Sequence, residues 1–278
     1  MERRRMLVLL AAIHPLSALN DEDRIWQEYL AWFRAQQGDV ASPLKGFEDH
    51  LLRSGRSRGE AGDAVRVAAR LMRERRAEWH AAFFDKTYTS RTPRFNTQPN
   101  QLLVDAVRRL RPGRALDIHM GQGRNAIYLA RLGWQVTGFD YSVEGIAAAR
   151  AASKAAGLPL TAVVARHEEF DFGGGPWDLI VMCYTWLPLE AEWISKVTQA
   201  LAPGGILVFE HLVDESGSDT AAEWLPAANE LTQIFQHMRI LRYEDVRVVP
   251  DWSWRPERVA RLVAQRDLSI EQTRPGER

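Results

Sequence analysis

The stretch Arg114–Ser142, RALDIHMGQGRNAIYLARLGWQVTGFDYS, constrains what this chain can fold into more than any other. Arg114 to Ile118 is a short, mostly apolar run containing Asp117, and Gly121 and Gly123 then break the chain. Ala126, Ile127, Leu129, Ala130 and Leu132 recur at helical spacing, and Trp134 to Phe139 forms a second apolar run that ends at Asp140. The order is therefore strand, glycine turn, helix, strand, acid. Glycines between a strand and a helix let the backbone approach a ligand, and the helix start offers unpaired N–H groups to it. An acid closing the second strand can accept both hydroxyls of a ribose. These parts imply a nucleoside-containing cofactor lying across the ends of adjacent parallel strands.

The turn itself narrows the nucleoside. A dinucleotide fingerprint needs G-x-G-x-x-G directly after the strand so that a pyrophosphate can sit against the helix. Here the turn reads Asp117-Ile118-His119-Met120-Gly121-Gln122-Gly123-Arg124-Asn125, with no third glycine following. A leading acid repels a pyrophosphate but suits the ammonium of an amino-acid tail. With its acid, glycine turn, G-R-N helix start, Y-L-A helix and V-T-G-F-D strand, the segment resembles the class I S-adenosylmethionine-dependent methyltransferases. It is most similar to the small-molecule branch that includes tellurite-resistance and thiopurine methyltransferases. His119 departs from that pattern, standing where the family's first glycine belongs. If that position has a positive φ, a histidine there carries strain of about 1 to 2 kcal/mol.

Beyond Asp140 the alternation continues. Val143 to Ala156 reads as a helix, Leu160 to Ala165 and Trp177 to Cys183 as strands, and Leu187 to Leu201 as a helix. Pro203-Gly204-Gly205 is expected to turn into a strand over Ile206 to Glu210. Two more strands, Arg239 to Val248 and Arg258 to Gln265, flank Pro250-Asp251-Trp252-Ser253-Trp254. Such alternation implies an α/β fold with a doubly wound parallel sheet covered on both faces. The resemblance adds detail: a Rossmann-like, seven-stranded, mainly parallel sheet with an antiparallel terminal hairpin, over residues 93–278.

Ligands of open parallel sheets bind outside the carboxyl ends of the strands. Those ends carry Asp117 and His119, Asp140 and Tyr141, Arg166 and His167, Cys183 and Tyr184, and Glu210 and His211. The resemblance implies that Asp117, Gly121, Gly123, Arg124, Asn125, Asp140 and Tyr141 hold S-adenosylmethionine. It places an acid that binds the adenine amino group where Arg166 stands, so His167 or Glu168 is expected to substitute. Cys183 lies at the same rim as a buried apolar lining residue, not a nucleophile. Tyr184, Trp186 and Phe95 are candidates for the acceptor pocket. Methyl transfer needs a base only if the acceptor must lose a proton early, and His119, Glu210 and His211 are the candidates for that role. No tight spacing of ligand types supports a metal site.

The chain's 278 residues, 46% of them hydrophobic, suffice for one domain of ordinary size and a smaller extension. Lysine plus arginine equals aspartate plus glutamate at 36 each, so no net field draws the chain to nucleic acid or membrane. One cysteine excludes an intrachain disulfide. No apolar run reaches the roughly 18 residues of a membrane span. Residues 20–92 read as a helical extension: Asp21 to Gln37 capped by Asn20, a short helix opened by Ser42-Pro43, and a third from Glu60 to about Lys86. Arginines crowd Arg53 to Arg76 without interleaved aromatics, the pattern of a solvated helix face. Residues 1–19 join Arg3-Arg4-Arg5 to an apolar run and read either as an export signal or as an N-terminal helix. A cytosolic cofactor favours a cytoplasmic protein. The expected function is methyl transfer to a heteroatom of a small molecule. The alternatives are a catalytically silent cofactor-binding domain and, behind it, an RNA methyltransferase using the arginine-rich helix.

Overall fold

The computed structural model describes residues 20–36, 42–90, 96–215 and 225–268. The 1–19 segment, with its two readings, and Phe95 lie outside the described residues. Two compact units divide the chain between Ala82 and Phe83.

The first unit is helical. α1 (Asp21–Ala35) starts on Asn20, whose side chain accepts the Asp23 N–H at 2.8 Å. α2 (Pro43–Arg53) has its proline in the first turn, but Ser42 makes no side-chain cap. α3 (Arg58–Glu74) opens on a reciprocal capping box between Ser57 and Glu60. The single long helix expected here is two: Arg75, at φ −108° and ψ 44°, breaks it, and α4 (Arg76–Thr89) follows. Trp26, Tyr29, Phe33 and Phe47 fill the core, with Tyr29 edge-on to Phe47 at 5.2 Å and Phe33 4.6 Å from Trp79. Each such ring contributes roughly 2 to 3 kcal/mol by burial. Much of the arginine run is neutralised locally: Arg56 pairs with Glu28, Arg70 with Glu22 and Glu74, and Arg75 with Asp23.

The second unit is built on a seven-stranded sheet in the order β3-β2-β1-β4-β5-β7-β6. Its strands are β1 (Arg114–Ile118), β2 (Gln135–Asp140), β3 (Leu160–Val164), β4 (Trp177–Cys183), β5 (Leu201–Leu212), β6 (Arg239–Val248) and β7 (Glu257–Gln265). The first five run parallel, and β7 inserts antiparallel between β5 and β6. Helices α5 (Gln101–Val107), α6 (Arg124–Arg131), α7 (Val143–Ala155), α8 (Ala191–Ala200) and α9 (Glu230–Ile234) accompany it. Alternation along the strands divides the core. Leu116, Ile180, Met182, Leu207 and Phe209 enter one apolar cluster, while Ala115, Leu179, Val181, Ile206 and Val208 enter the other. Burial on both faces is what fixes the strands' register.

Pro203-Gly204-Gly205 does not precede β5 but lies inside it. Leu201 already pairs with Trp177, and the register shifts before Ile206 meets Leu179. Gly204 takes φ +77°, and a β-carbon at Gly205 would crowd the carbonyls of Ala202 and Trp177. The glycines thus form a bulge that lets the strand start early.

Candidate functional site

The order of the sheet reverses between β1 and β4, so the carboxyl ends of β2, β1 and β4 border a crevice. A cavity of about 440 Å³ lies there, lined among others by Asp117, His119, Gly121, Asp140, Tyr184, Trp186 and Trp252. That size suits a small-molecule site.

The turn after β1 is built from left-handed backbone. His119 has φ 52°, Gly121 φ 54° and Gly123 φ 78°, so the positive φ that the family glycine would supply is carried by a histidine here. Asp140, 2% exposed, holds the turn in place: Oδ2 accepts the Gly121 N–H and Oδ1 the Ser142 N–H, each at 2.8 Å. Each oxygen retains a lone pair for a further donor. Asp117 is equally buried, and its Oδ2 has no hydrogen-bond partner among the described residues. Burial raises the Asp117 carboxyl to about 7 and the Asp140 carboxyl to about 6.

The last turns of α4 close one side. Tyr88 packs on Gly121 and Gly145, where added β-carbons would collide with its ring or hydroxyl. Asp85 accepts the Ser142 hydroxyl at 2.6 Å and the Glu144 N–H at 3.2 Å, fastening α4 to the start of α7. Phe84 lies tilted 5.9 Å from Tyr141 and edge-on to Trp252 at 5.5 Å. Sequence reasoning singled out none of Phe84, Asp85 and Tyr88, and the signal for them is the F-F-D-K-T-Y run closing α4.

Arg124 and Asn125 line the cavity, but their side chains hold the surrounding loops. Arg124 pairs with Asp251 at 2.8 Å and donates to the carbonyls of Asn96 and Gln98, while Asn125 accepts the Asn100 N–H at 2.9 Å. Glu210, a candidate base, is fully engaged. Oε1 accepts from Asn100 at 2.7 Å and from the Tyr184 hydroxyl at 2.8 Å, and Oε2 accepts from Arg261 at 2.7 Å. Asn100 also donates to Asp251 at 2.9 Å. This buried network ties segment 96–100, β4, β5, β7 and the β6–β7 connection together. A carboxylate with three donors and 1% exposure is a framework group.

The three rim histidines differ. His119 lines the cavity, and its Nδ1 accepts the backbone N–H of Trp186 at 3.0 Å. A ring nitrogen that accepts carries no proton, so the neutral ring bears its proton on Nε2 and cannot take another at Nδ1 while that bond stands. His211 is 3% exposed, with its ring 5.6 Å from that of Tyr184 and 5.9 Å from that of Trp186, and burial lowers its pKa to about 4. His167 sits against Trp193, and its Nε2 is 3.3 Å from Glu168; burial lowers its pKa too. Neither His167, Glu168 nor His211 lines the cavity, whereas Tyr141, Cys183, Tyr184 and Trp186 do. Burial pushes the Cys183 thiol well up, away from a reactive thiolate. Among the described residues no group of three or more His, Cys, Asp or Glu could hold a metal, and no helix is long and apolar enough to cross a membrane.

Residues 115–205 match the family described as Methyltransferase domain, across the glycine turn and both acids. The matched stretch is about a third of the chain. A curated relative, the probable S-adenosyl-L-methionine-dependent methyltransferase TehB of Haemophilus influenzae (strain 10810), is 24% identical over 149 residues, 51% of this chain and 52% of its own. The chain thus spans about half the length of the curated relatives it matches. The crystal structure of TehB from Haemophilus influenzae is similar at a TM-score of 0.52 and 21% identity, covering 67% of this chain and 66% of that one. The N-methyltransferase NodS from Bradyrhizobium japonicum WM9, in complex with S-adenosyl-L-homocysteine, reaches 0.54 at 18% identity over 67% of this chain and 97% of its own. At these identities the structures establish the shared fold. The TehB relative is named for S-adenosylmethionine, and the NodS structure holds its demethylated product. The donor set of this chain fits that cofactor. The unpartnered Asp117 oxygen suits an ammonium, Asp140 retains acceptor capacity for hydroxyls, and Gly121 keeps the turn free of a side chain.

Proposed function

We propose that this chain transfers the sulfonium methyl of S-adenosylmethionine to a heteroatom of a small molecule. The observation that carries the reading is the Asp117–Gly121–Asp140 cradle opening onto a cavity walled by aromatic side chains. In this reading Asp117 meets the cofactor's ammonium and Asp140 its ribose. When bound, the cofactor supplies a methyl carbon already activated by positive sulfur. Held by Asp117 and Asp140, the cofactor would offer that methyl to an acceptor lone pair and would leave as a neutral thioether.

The protein's own contribution is alignment and exclusion of water. Holding two reactants in line is worth up to roughly 7 to 11 kcal/mol in favourable cases. Trp186, Tyr184 and Trp252 give the acceptor side an apolar, ring-lined wall. The three donors on Glu210 and the Trp186 N–H on His119 Nδ1 support a reading in which neither takes the acceptor's proton. The acceptor best matched to this site attacks through a lone pair available at neutral pH: a thiolate, a selenolate or a ring nitrogen.

Incubation of the full chain with S-adenosylmethionine and a panel of thiols, selenols and heteroaromatic amines tests this. Acceptor-dependent formation of S-adenosylhomocysteine and a methylated product is expected. Cofactor binding without turnover across the panel would instead support a silent binding domain.

A further inference from the structure

His119 is the chain's own departure from the glycine turn, and its surroundings give the imidazole a place and a charge state. The ring reaches from the end of β1 across the carboxyl ends of its neighbours. It lies 5.5 Å from Phe139 of β2, 5.1 Å from Tyr141 just past β2 and 5.6 Å from His167 past β3, and it is anchored to Trp186 past β4. In the methyl-transfer reading, with the amino-acid tail at Asp117 and the ribose at Asp140, the nucleobase would extend beyond Asp140, toward Tyr141 and the end of β3.

The acid that would read an adenine amino group has no counterpart there. Arg166 stands at its position, Glu169 turns back to accept the Arg166 N–H at 3.2 Å, and Glu168 is half exposed beside His167. Among the described residues the acids lining the cavity are Asp117 and Asp140. Because Nδ1 accepts from Trp186, the opposite ring nitrogen carries a proton and is a donor. The left-handed backbone at φ 52° costs a non-glycine residue about 1 kcal/mol or more, a cost that a glycine would have avoided.

Resting on the methyl-transfer reading, we propose that His119 is a cofactor-reading residue: its Nε2–H donates to a ring nitrogen of the purine, replacing the acid that would accept from the amino group. The same ring, through Nδ1, holds the Trp186 backbone at the acceptor wall. One side chain thereby joins the nucleobase subsite to the acceptor pocket.

Calorimetric titration of the full chain with S-adenosylhomocysteine, and with analogues in which N1, N3 or N7 of the purine is replaced by C–H, tests this against His119→Asn. Asparagine tolerates a positive φ and its Oδ1 can still accept the Trp186 N–H, but it lacks a donor at the Nε2 position. Wild type should bind one analogue about tenfold more weakly than S-adenosylhomocysteine, the loss of one buried hydrogen bond. The variant, with its melting temperature near that of wild type, should bind S-adenosylhomocysteine about tenfold more weakly and treat that analogue no worse. Equal affinities across the analogues on wild type, or undiminished or tighter binding by His119→Asn, would overturn the role of His119 alone. Absence of any binding by folded wild type would remove the methyl-transfer reading with it.

Discussion

The phenol of Tyr88 rests against Gly121, its hydroxyl taking up the space that a β-carbon at position 121 would need. The glycine is therefore required twice over, by its φ of 54° and by this contact. Gly121→Ala should lower stability by about 2 to 3 kcal/mol, of which about 1 kcal/mol is backbone strain. Adding Tyr88→Ala should recover the part due to collision, a coupling that chemical denaturation of the two single variants and the double variant would measure. Strictly additive losses would show that the two residues do not meet.

Glu210 separates a framework role from a catalytic one. Glu210→Ala leaves the Arg261 guanidinium short of its closest partner and strips acceptors from Asn100 and Tyr184, so a loss of about 3 to 5 kcal/mol is expected. Glu210→Gln keeps one accepting oxygen and should lose less, with the pH dependence of turnover unchanged. A selective collapse of kcat in Glu210→Gln at normal stability would identify it as the base after all.

Asp117 makes stability depend on pH. Its folded pKa of about 7 lies above the 3.8 of an ordinary aspartate, so between roughly pH 4 and 7 the folded state keeps a proton that the unfolded state has released. Stability from this group is present at low pH and declines as pH rises through that window. Asp117→Asn should therefore be more stable than wild type at pH 8, by up to about 4 kcal/mol, with the gap shrinking as pH falls and closing near pH 4. Thermal melts of both proteins across that range check the sign. A positive charge delivered to Asp117 favours its ionised form, so binding of a cationic ligand there should release a proton below pH 7, visible as buffer-dependent heat in calorimetry.

The sheet was legible because its signals are local. Short apolar runs just after a glycine locate β1 and β4 to the residue, Arg239 to Val248 matches β6, and the acid closing β2 stands where the turn needs an acceptor for the Gly121 N–H. What escaped sequence reading depends on residues distant in the chain. Glu210 reads as a free carboxylate until Asn100, Tyr184 and Arg261 converge on it, and no periodicity announces that convergence. His119 reads as a base until the Trp186 N–H occupies Nδ1. The break at Arg75 was hidden because the apolar spacing of α3 and α4 continues across it; backbone angles alone mark the end of the first helix.

The central claim is that the β1 turn and the acid of β2 hold S-adenosylmethionine. Titration calorimetry of the full chain with S-adenosylhomocysteine, beside Asp140→Asn, tests it most directly. Saturable binding at one site per chain is predicted for wild type, with affinity at least tenfold weaker in the variant, since the amide accepts through one oxygen where the carboxylate uses two. Failure of the folded wild-type protein to bind, or equal affinity in the two proteins, would contradict it.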